Sequence, residues 1–203
     1  MKTSVILKEE HTKNEIIDAA QKLFQKYGID KTTMDDIARD IGKGKSSLYY
    51  YYASKEDVFY AVVSKERDEV LSSVKSAIKD AELPSEKLKM FFITHFKELR
   101  HKMNLYSVIL QGNVKKHMDL FYRIQKESNI SDVKLVKEIL LCGIKTGEFK
   151  NIKEKDCEII SLSIIMMIQG LDSNIVFGKD FSGETVKFSG AVDIFIKGLK
   201  YEK

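Results

Sequence analysis

The fold is decided by residues 33–56, which read TMDDIARDIGKGKSSLYYYYASKE. Thr33 followed three residues later by Asp36 is typical of a capping box at the start of a helix. The short apolar helix that follows is predicted to end at Gly42, since glycine adopts the left-handed conformation that stops helices. A second short helix fits residues 45–51. The stretch therefore predicts two short helices joined by a tight glycine turn.

Longer helices are predicted on both sides of this stretch. Apolar residues recur at helical spacing from about Thr12 to Tyr27, and Gly28 is a predicted C-terminal cap. Ser54 is predicted to cap a long helix that ends near residue 81. Helix, glycine turn and short helix form the layout that places one helix in the major groove of DNA.

The rest of the chain is also predicted to be helical. The whole chain of 203 residues has one proline, Pro84, which favours long helices over a turn-rich β protein. Residues 1–10 are polar and are predicted to be frayed, and Ser85 is the predicted cap after Pro84. The predicted class is all-α with about nine helices, the later ones at about 86–101, 104–112, 114–128, 131–146, 154–175 and 184–200.

Composition sets limits on the class of protein. Apolar residues make up 43% and charged residues 32%, an ordinary balance for a globular chain. The longest apolar run, 159–171, falls short of the roughly 20 residues of a spanning helix, and the N-terminus has no apolar stretch of signal-peptide length. Cys142 and Cys157 lack metal or redox spacing, which favours free thiols. These features predict a cytoplasmic protein without a membrane partner.

Charge and aromatic residues both draw attention to the second short helix. The net charge of +4 says little, but residues 41–55 contain three lysines and no acid. That pattern suits a small DNA-contacting surface, although solvated lysines would give the same pattern. A helix turns by about 100° per residue, so four consecutive tyrosines cannot all face a core. We expect Tyr49 and Tyr52 to share a face near Leu48, and Tyr50 and Tyr51 to point elsewhere.

The stretch from Ile16 to Val58 resembles the DNA-binding domain of the tetracycline-repressor-like family of bacterial regulators. The resemblance covers about a fifth of the chain, and its motif is ordered and correctly spaced. It implies a helix-turn-helix domain over residues 1–54 and a helical ligand-binding and dimerisation domain over residues 55–203. The matching positions are Phe24 and Gly28, Ile37-Ala38, Gly42, and the segment Leu48-Tyr49-Tyr50-Tyr51-Tyr52-Ala53-Ser54-Lys55-Glu56.

The same resemblance implies roles for individual residues. Three positions depart from the family pattern: Lys43 replaces a valine in the turn, Gly44 replaces a capping serine, and Tyr52 replaces a phenylalanine. Lys43 adds charge near phosphate, and Gly44 weakens the cap. The positions that correspond to base contacts are Lys45, Ser46, Ser47 and Tyr50, and those that correspond to phosphate contacts are Thr33, Tyr49, Tyr51 and Lys55.

The last two predicted helices are candidates for a dimer interface. The final helix carries an apolar stripe at helical spacing, and the helix before it is apolar nearly all round. The resemblance implies a four-helix interface built from two such pairs, while completion of a monomer core is the alternative. The candidate interface residues are Ile160, Ile164, Ile168, Phe188, Val192, Phe195 and Leu199.

The middle helices are candidates for an effector pocket. Their aromatic and methionine side chains suit an adaptable apolar cavity for a moderately hydrophobic ligand, although ordinary core packing gives the same pattern. His95 and His117 are possible polar contacts for the ligand. The candidate wall residues are Phe92, Phe96, Met103, Tyr106, Ile109, Leu110, Phe121, Met166, Met167 and Gln169.

These features together predict a homodimeric repressor that binds operator DNA and is released by a small molecule. Neither a cofactor nor a metal is expected. An activator, or a regulator that answers a protein partner, fits the sequence as well. A helical enzyme fused to a DNA-binding domain is the alternative of another class, but the four histidines and two cysteines are scattered and form no catalytic motif.

Overall fold

The computed structural model describes the backbone of residues 2–111, 118–177 and 185–200, and side chains at 6–98, 130–169 and 188–200. Helices are the regular secondary structure throughout these ranges, as the sequence predicts. No helix in them is long and apolar enough to cross a membrane. The elements are α1 (Lys2–Tyr27), α2 (Met34–Asp40), α3 (Lys45–Tyr51), α4 (Lys55–Lys79), α5 (Pro84–Gln111), α6 (Met118–Lys145), a 3₁₀ turn (Glu154–Asp156), α7 (Cys157–Phe177) and α8 (Thr185–Lys200).

Two corrections concern helix ends and helix number. Residues 2–10 are helical rather than frayed, because Leu, Lys and Glu favour helix even where no apolar stripe marks it. Segment 86–101 and residues 104–111 of the next predicted segment lie within one helix, α5, and residue 112 lies outside the described residues. Most of the two segments between 114 and 146 lies in α6. The described residues therefore contain eight α-helices instead of about nine.

The start of α5 also differs from the prediction. The helix begins at Pro84, and a proline fits there because the first turn needs no N–H donor. Ser85 is not a cap. Its backbone N–H donates to Glu148 Oε2 at 3.2 Å and its hydroxyl donates to the same carboxylate, which also pairs with Lys200 Nζ at 2.7 Å. Burial raises the pKa of Glu148, but the bonds from Lys200 and Ser85 prevail and hold this pKa below its usual value.

The chain divides into two compact units, residues 1–66 with 103–124, and residues 67–102 with 125–203. The core of the first unit is formed by α1, α2, α3 and the start of α4. Phe24 of α1 meets Phe59 of α4 edge to face, with ring centroids 5.3 Å apart. The fully buried side chains of this first core include Ile16, Ala20, Phe24, Ile37, Leu48, Val58, Val62 and Val63.

The second unit has its own core, drawn from α4 to α8. Gly143 is required there by close packing, since a β-carbon at that position would lie 2.0 Å from the ring of Phe149. Any larger residue would push this ring out of the core. The buried members of the second core include Val70, Val74, Leu88, Phe91, Phe92, Val136, Leu140, Phe149, Ile164, Ile168, Val192 and Leu199.

Candidate nucleic-acid interface

The start of α2 has the local geometry that its sequence predicts. Thr33 Oγ1 accepts from the Asp36 N–H at 3.2 Å, and Asp36 Oδ2 accepts from the Thr33 N–H at 3.0 Å. The capping box is therefore confirmed. The Thr33 hydroxyl also donates to Asp36 Oδ2 at 2.7 Å, and this bond, together with that from the Thr33 N–H, holds the pKa of Asp36 below its ordinary value. The box fixes where α2 begins, and so fixes the exposed side chain of Thr33.

The turn between α2 and α3 depends on Gly42. Its φ of +63° lies in the left-handed region that glycine adopts without strain. The N–H of Gly42 donates to Arg39 O, and that of Lys43 donates to Ala38 O at 2.9 Å, so the last carbonyls of α2 are satisfied. Gly44 then precedes α3 without a side-chain cap. The tight turn holds α3 beside α2 in the first core.

The inner face of α3 differs from the predicted one. Leu48 is fully buried, and Tyr51 and Tyr52 are half-buried against the first core, because positions three and four residues after Leu48 share its face. Burial raises the pKa of Tyr52. Tyr49 is 46% exposed and Tyr50 is 73% exposed. The exposed pair is thus Tyr49 and Tyr50, rather than Tyr50 and Tyr51.

The polar side chains of the turn and of α3 have acidic partners. Lys45 Nζ lies 3.0 Å from Asp35 Oδ2, and this hydrogen bond raises the pKa of Lys45. Lys43 pairs with Glu15, which lies on α1. The hydroxyl of Tyr50 donates to Glu9 Oε1 at 3.3 Å.

Sequence reasoning missed these three carboxylates. Asp35 precedes its lysine by ten residues, Glu15 by 28, and Glu9 precedes Tyr50 by 41. Pairs at such separations are set by the fold rather than by spacing along one helix. The acidic residues in the first turn of α2 could have indicated the partner of Lys45, but such residues are usually explained by the helix dipole.

The remaining candidate residues lie in the same unit. Ser46 is exposed, while Ser47 and Lys55 are half-buried. Lys55 is the first residue of α4, whose start is fixed by Ser54: its hydroxyl oxygen accepts from the Asp57 N–H at 3.1 Å, as predicted for a cap. All nine candidate DNA-binding residues therefore lie between the start of α2 and the start of α4.

Comparison with known proteins identifies the family of this arrangement. Residues 16–62 match the family model described as "Bacterial regulatory proteins, tetR family". The HTH-type transcriptional repressor KstR2 of Mycolicibacterium smegmatis is 28% identical over 139 residues, which are 68% of this chain and 67% of that protein. The helix-turn-helix region of the chain is of the TetR family. The chain is a DNA-binding transcriptional regulator, and α3 is the second short helix of this region, with Tyr49 and Tyr50 exposed.

Two further similarities extend beyond the helix-turn-helix. The fatty acid metabolism regulator protein of Bacillus subtilis is 26% identical over 140 residues, which are 67% of this chain and 70% of that protein. The crystal structure of the transcriptional regulator FadR from Bacillus subtilis, in complex with stearoyl-CoA, superposes with a TM-score of 0.71 at 24% identity. That match covers 91% of this chain and 97% of the other. The similarity of fold therefore extends over the second unit as well.

The predicted pocket residues do not all come together. Phe92 and Phe96 are buried in the second core, with the Phe96 ring stacked 4.4 Å from that of Phe188. Met166 and Met167 are instead 61% and 41% exposed on α7. Gln169 is half-buried. The candidates outside the described side chains are Met103, Tyr106, Ile109, Leu110 and Phe121, and His117 also lies there.

His95 is buried in the second unit beside an acidic side chain. Its Nε2 lies 3.8 Å from Asp132 Oδ2, and Arg67 Nη2 lies at the same distance from that oxygen. Its Nδ1 has no hydrogen-bond partner among the described residues. The histidine is therefore part of a charged cluster inside the core, next to the ring of Phe91.

The predicted interface residues lie on the inner faces of α7 and α8. Ile164, Ile168, Val192 and Leu199 are buried in the second core, and Ile160, Phe188 and Phe195 pack against it. The exposed apolar side chains of the same two helices are others. Because α7 is apolar nearly all round, its sequence pattern did not indicate which face points inward. The exposed set is Ile159, Leu162, Met166, Met167 and Ile194.

Proposed function

We propose that this regulator is a homodimeric repressor that binds operator DNA with α3 and leaves it when an effector molecule with a hydrophobic chain binds. The observation that carries the proposal is the exposed face of α3, where Lys45, Ser46 and Tyr50 project from the first core. Small polar and cationic side chains at the start of a recognition helix reach base edges, and neighbouring groups hold phosphates. The nine candidate residues supply both kinds of group.

The domains and the cellular location follow from this role. We propose that residues 1–54 form the DNA-binding domain and that residues 55–203 form the domain for dimerisation and effector binding, with the start of α4 packed into the first core. A protein that acts on bacterial operators works in the cytoplasm, where the chromosome lies. Genomic footprinting with the purified protein tests the proposal, because a repressor protects a small set of promoters. Protection without any preferred sequence would contradict it.

The apolar face of α7 and α8 supports a homodimer. Five large apolar side chains are exposed on these two helices, and Ile194 is 73% exposed. Exposed apolar residues that recur at helical spacing, as Ile159, Leu162 and Met166 do on α7, are typical of an interface between subunits. A symmetric dimer presents two recognition helices to two half-sites, about one turn of DNA apart. We place the interface on this exposed face instead of on the predicted residues, which lie in the core.

The effector is proposed to be a long-chain acyl-CoA. One similar protein is named for fatty acid metabolism, and one similar structure holds stearoyl-CoA. The second core contains the buried aromatic side chains Phe91, Phe92 and Phe96, and an acyl chain requires apolar side chains of this kind around it. The names of the relatives and the apolar character of this core point to the same class of ligand.

Removal of one phosphate contact should change the salt dependence of DNA binding without changing the preferred sequence. For Lys55→Ala we expect the slope of log K against log salt concentration to flatten by about 0.9 for each DNA-binding unit. Ser47→Ala should instead alter which bases are preferred. Lys75→Ala, an exposed lysine later on α4, is the control for lost charge. Titrations at several salt concentrations measure the slopes, and equal slopes for Lys55→Ala and wild type would contradict the phosphate role.

Saturation with stearoyl-CoA should release the protein from its operator. We expect the affinity for operator DNA to fall about 5- to 150-fold, the usual range of coupling between two sites. Free coenzyme A, which lacks the chain, is the control and should leave the affinity unchanged. Fluorescence anisotropy of labelled operator measures the effect. Unchanged affinity with stearoyl-CoA would refute the ligand class while leaving the DNA-binding role intact.

A further inference from the structure

A hydrogen-bond donor and an acceptor lie side by side at the exposed start of the recognition helix. Lys45 is the first residue of α3, and Asp35 is the second residue of α2. The ammonium and the carboxylate oxygen are 3.0 Å apart, and the two side chains are 53% and 51% exposed. The pair carries no net charge, so Asp35 can approach DNA without bringing an uncompensated negative charge to the phosphates.

This spacing matches one edge of a G·C base pair. In the major groove guanine presents the acceptors N7 and O6, and cytosine presents the N4 amino donor. O6 and N4 are hydrogen-bonded to each other in the base pair, so they lie about 2.9 Å apart. A donor and an acceptor 3.0 Å apart can therefore face O6 and N4 at the same time.

We propose that Asp35 is a specificity-determining residue that reads one G·C pair together with Lys45. The ammonium of Lys45 donates to guanine O6 and N7, and the carboxylate of Asp35 accepts from the N4 amino group of the paired cytosine. This assignment rests on the proposed DNA-binding role of α3. An A·T pair in the same orientation is disfavoured, because the adenine amino group then meets the ammonium and thymine O4 meets the carboxylate.

The other carboxylates near α3 have different contacts. Asp36 closes the capping box with Thr33, and Glu15 pairs with Lys43 in the turn. Asp40 lies at the far end of α2 and has no ion pair with Lys45 among the described contacts. Among these carboxylates, Asp35 is thus the one that pairs with Lys45, the first residue of α3.

Selection of duplexes from a random library by the full-length protein tests the assignment. Wild type should select G·C at one position of each half-site and disfavour A·T there by about 5- to 150-fold. Lys45→Ala and Asp35→Ala should both lose this preference, at the same base pair. Asp35→Asn keeps an acceptor oxygen but loses the ion pair, so an intermediate loss is expected. Asp40→Asn, which makes the same charge change on the same helix, should select the wild-type sequence.

The possible failures are distinguishable. If Asp35→Ala and Asp35→Asn both keep the full G·C preference, or if Asp35→Ala and Lys45→Ala relax different base pairs, the reading by Asp35 is wrong and the proposed function stands. If wild type selects no sequence at all, the proposed function itself fails. Circular dichroism of each variant shows whether it is folded, and Asp35→Asn decides the question should Asp35→Ala unfold.

Discussion

Ile194→Glu is expected to convert the protein to monomers and to abolish operator binding at concentrations where the wild-type dimer is saturated. Ile194 is an apolar side chain that is 73% exposed on α8. In a symmetric dimer the substitution places two carboxylates in the interface. An uncompensated buried charge costs about 3–5 kcal/mol, so a pair of them weakens dimerisation by several orders of magnitude. Analytical ultracentrifugation and gel shifts with the operator measure both effects.

The matched control is Ile130→Glu. Ile130 is 69% exposed on α6, so the substitution is the same and the exposure is close to that of Ile194, but the residue lies on another helix. This variant should remain dimeric and bind operator DNA normally. If Ile194→Glu also remains dimeric, the interface does not lie on this face of α8, and the spacing of the two recognition helices must be set elsewhere.

Phe24→Ala is expected to lower the free energy of unfolding by about 3–5 kcal/mol, the usual cost of removing a fully buried phenylalanine. Phe24 has no exposed surface, and its ring packs edge to face on Phe59 in the first core. The cavity would lie beneath the helix-turn-helix, so DNA binding should be lost along with stability. Urea unfolding of the wild-type and variant proteins gives the difference directly.

Tyr50→Ala separates the contribution of aromatic residues to stability from their contribution to DNA binding in this unit. Its side chain is 73% exposed, so stability should change by no more than about 0.5 kcal/mol, whereas binding to the operator should weaken. A loss of stability for Phe24→Ala no larger than that for Tyr50→Ala would mean that the first core does not depend on the buried ring.

The parts of the fold that the sequence predicts are the local ones. The capping box of Thr33, the left-handed Gly28 and Gly42, and the cap at Ser54 each follow from residues within a few positions of each other. The prediction that the N-terminal residues are frayed is wrong for residues 2–10. It relied on apolar periodicity, and a polar helix does not show that pattern.

The parts that it could not predict depend on which face of a helix is buried. Tyr49 and Tyr51 differ by 200° around α3, so the position of Leu48 in the core decides which one is exposed. The sequence of α7 does not indicate which of its faces is buried, because its own apolar residues lie on nearly every face. The partnership of Asp35 with Lys45 likewise needs the turn at Gly42 to bring two helices together. These features follow from tertiary packing.

The first core has a consequence for how such regulators diversify. Its described buried side chains all come from residues 16–63, and none is shared with the second core. Substitutions on the outer surface of α3 can therefore alter the promoter that is recognised while the sensing half keeps its packing. Equally, substitutions in the second core can accumulate without changing the packing beneath α3. The DNA sequence that is recognised and the properties of the second unit can therefore evolve independently of each other.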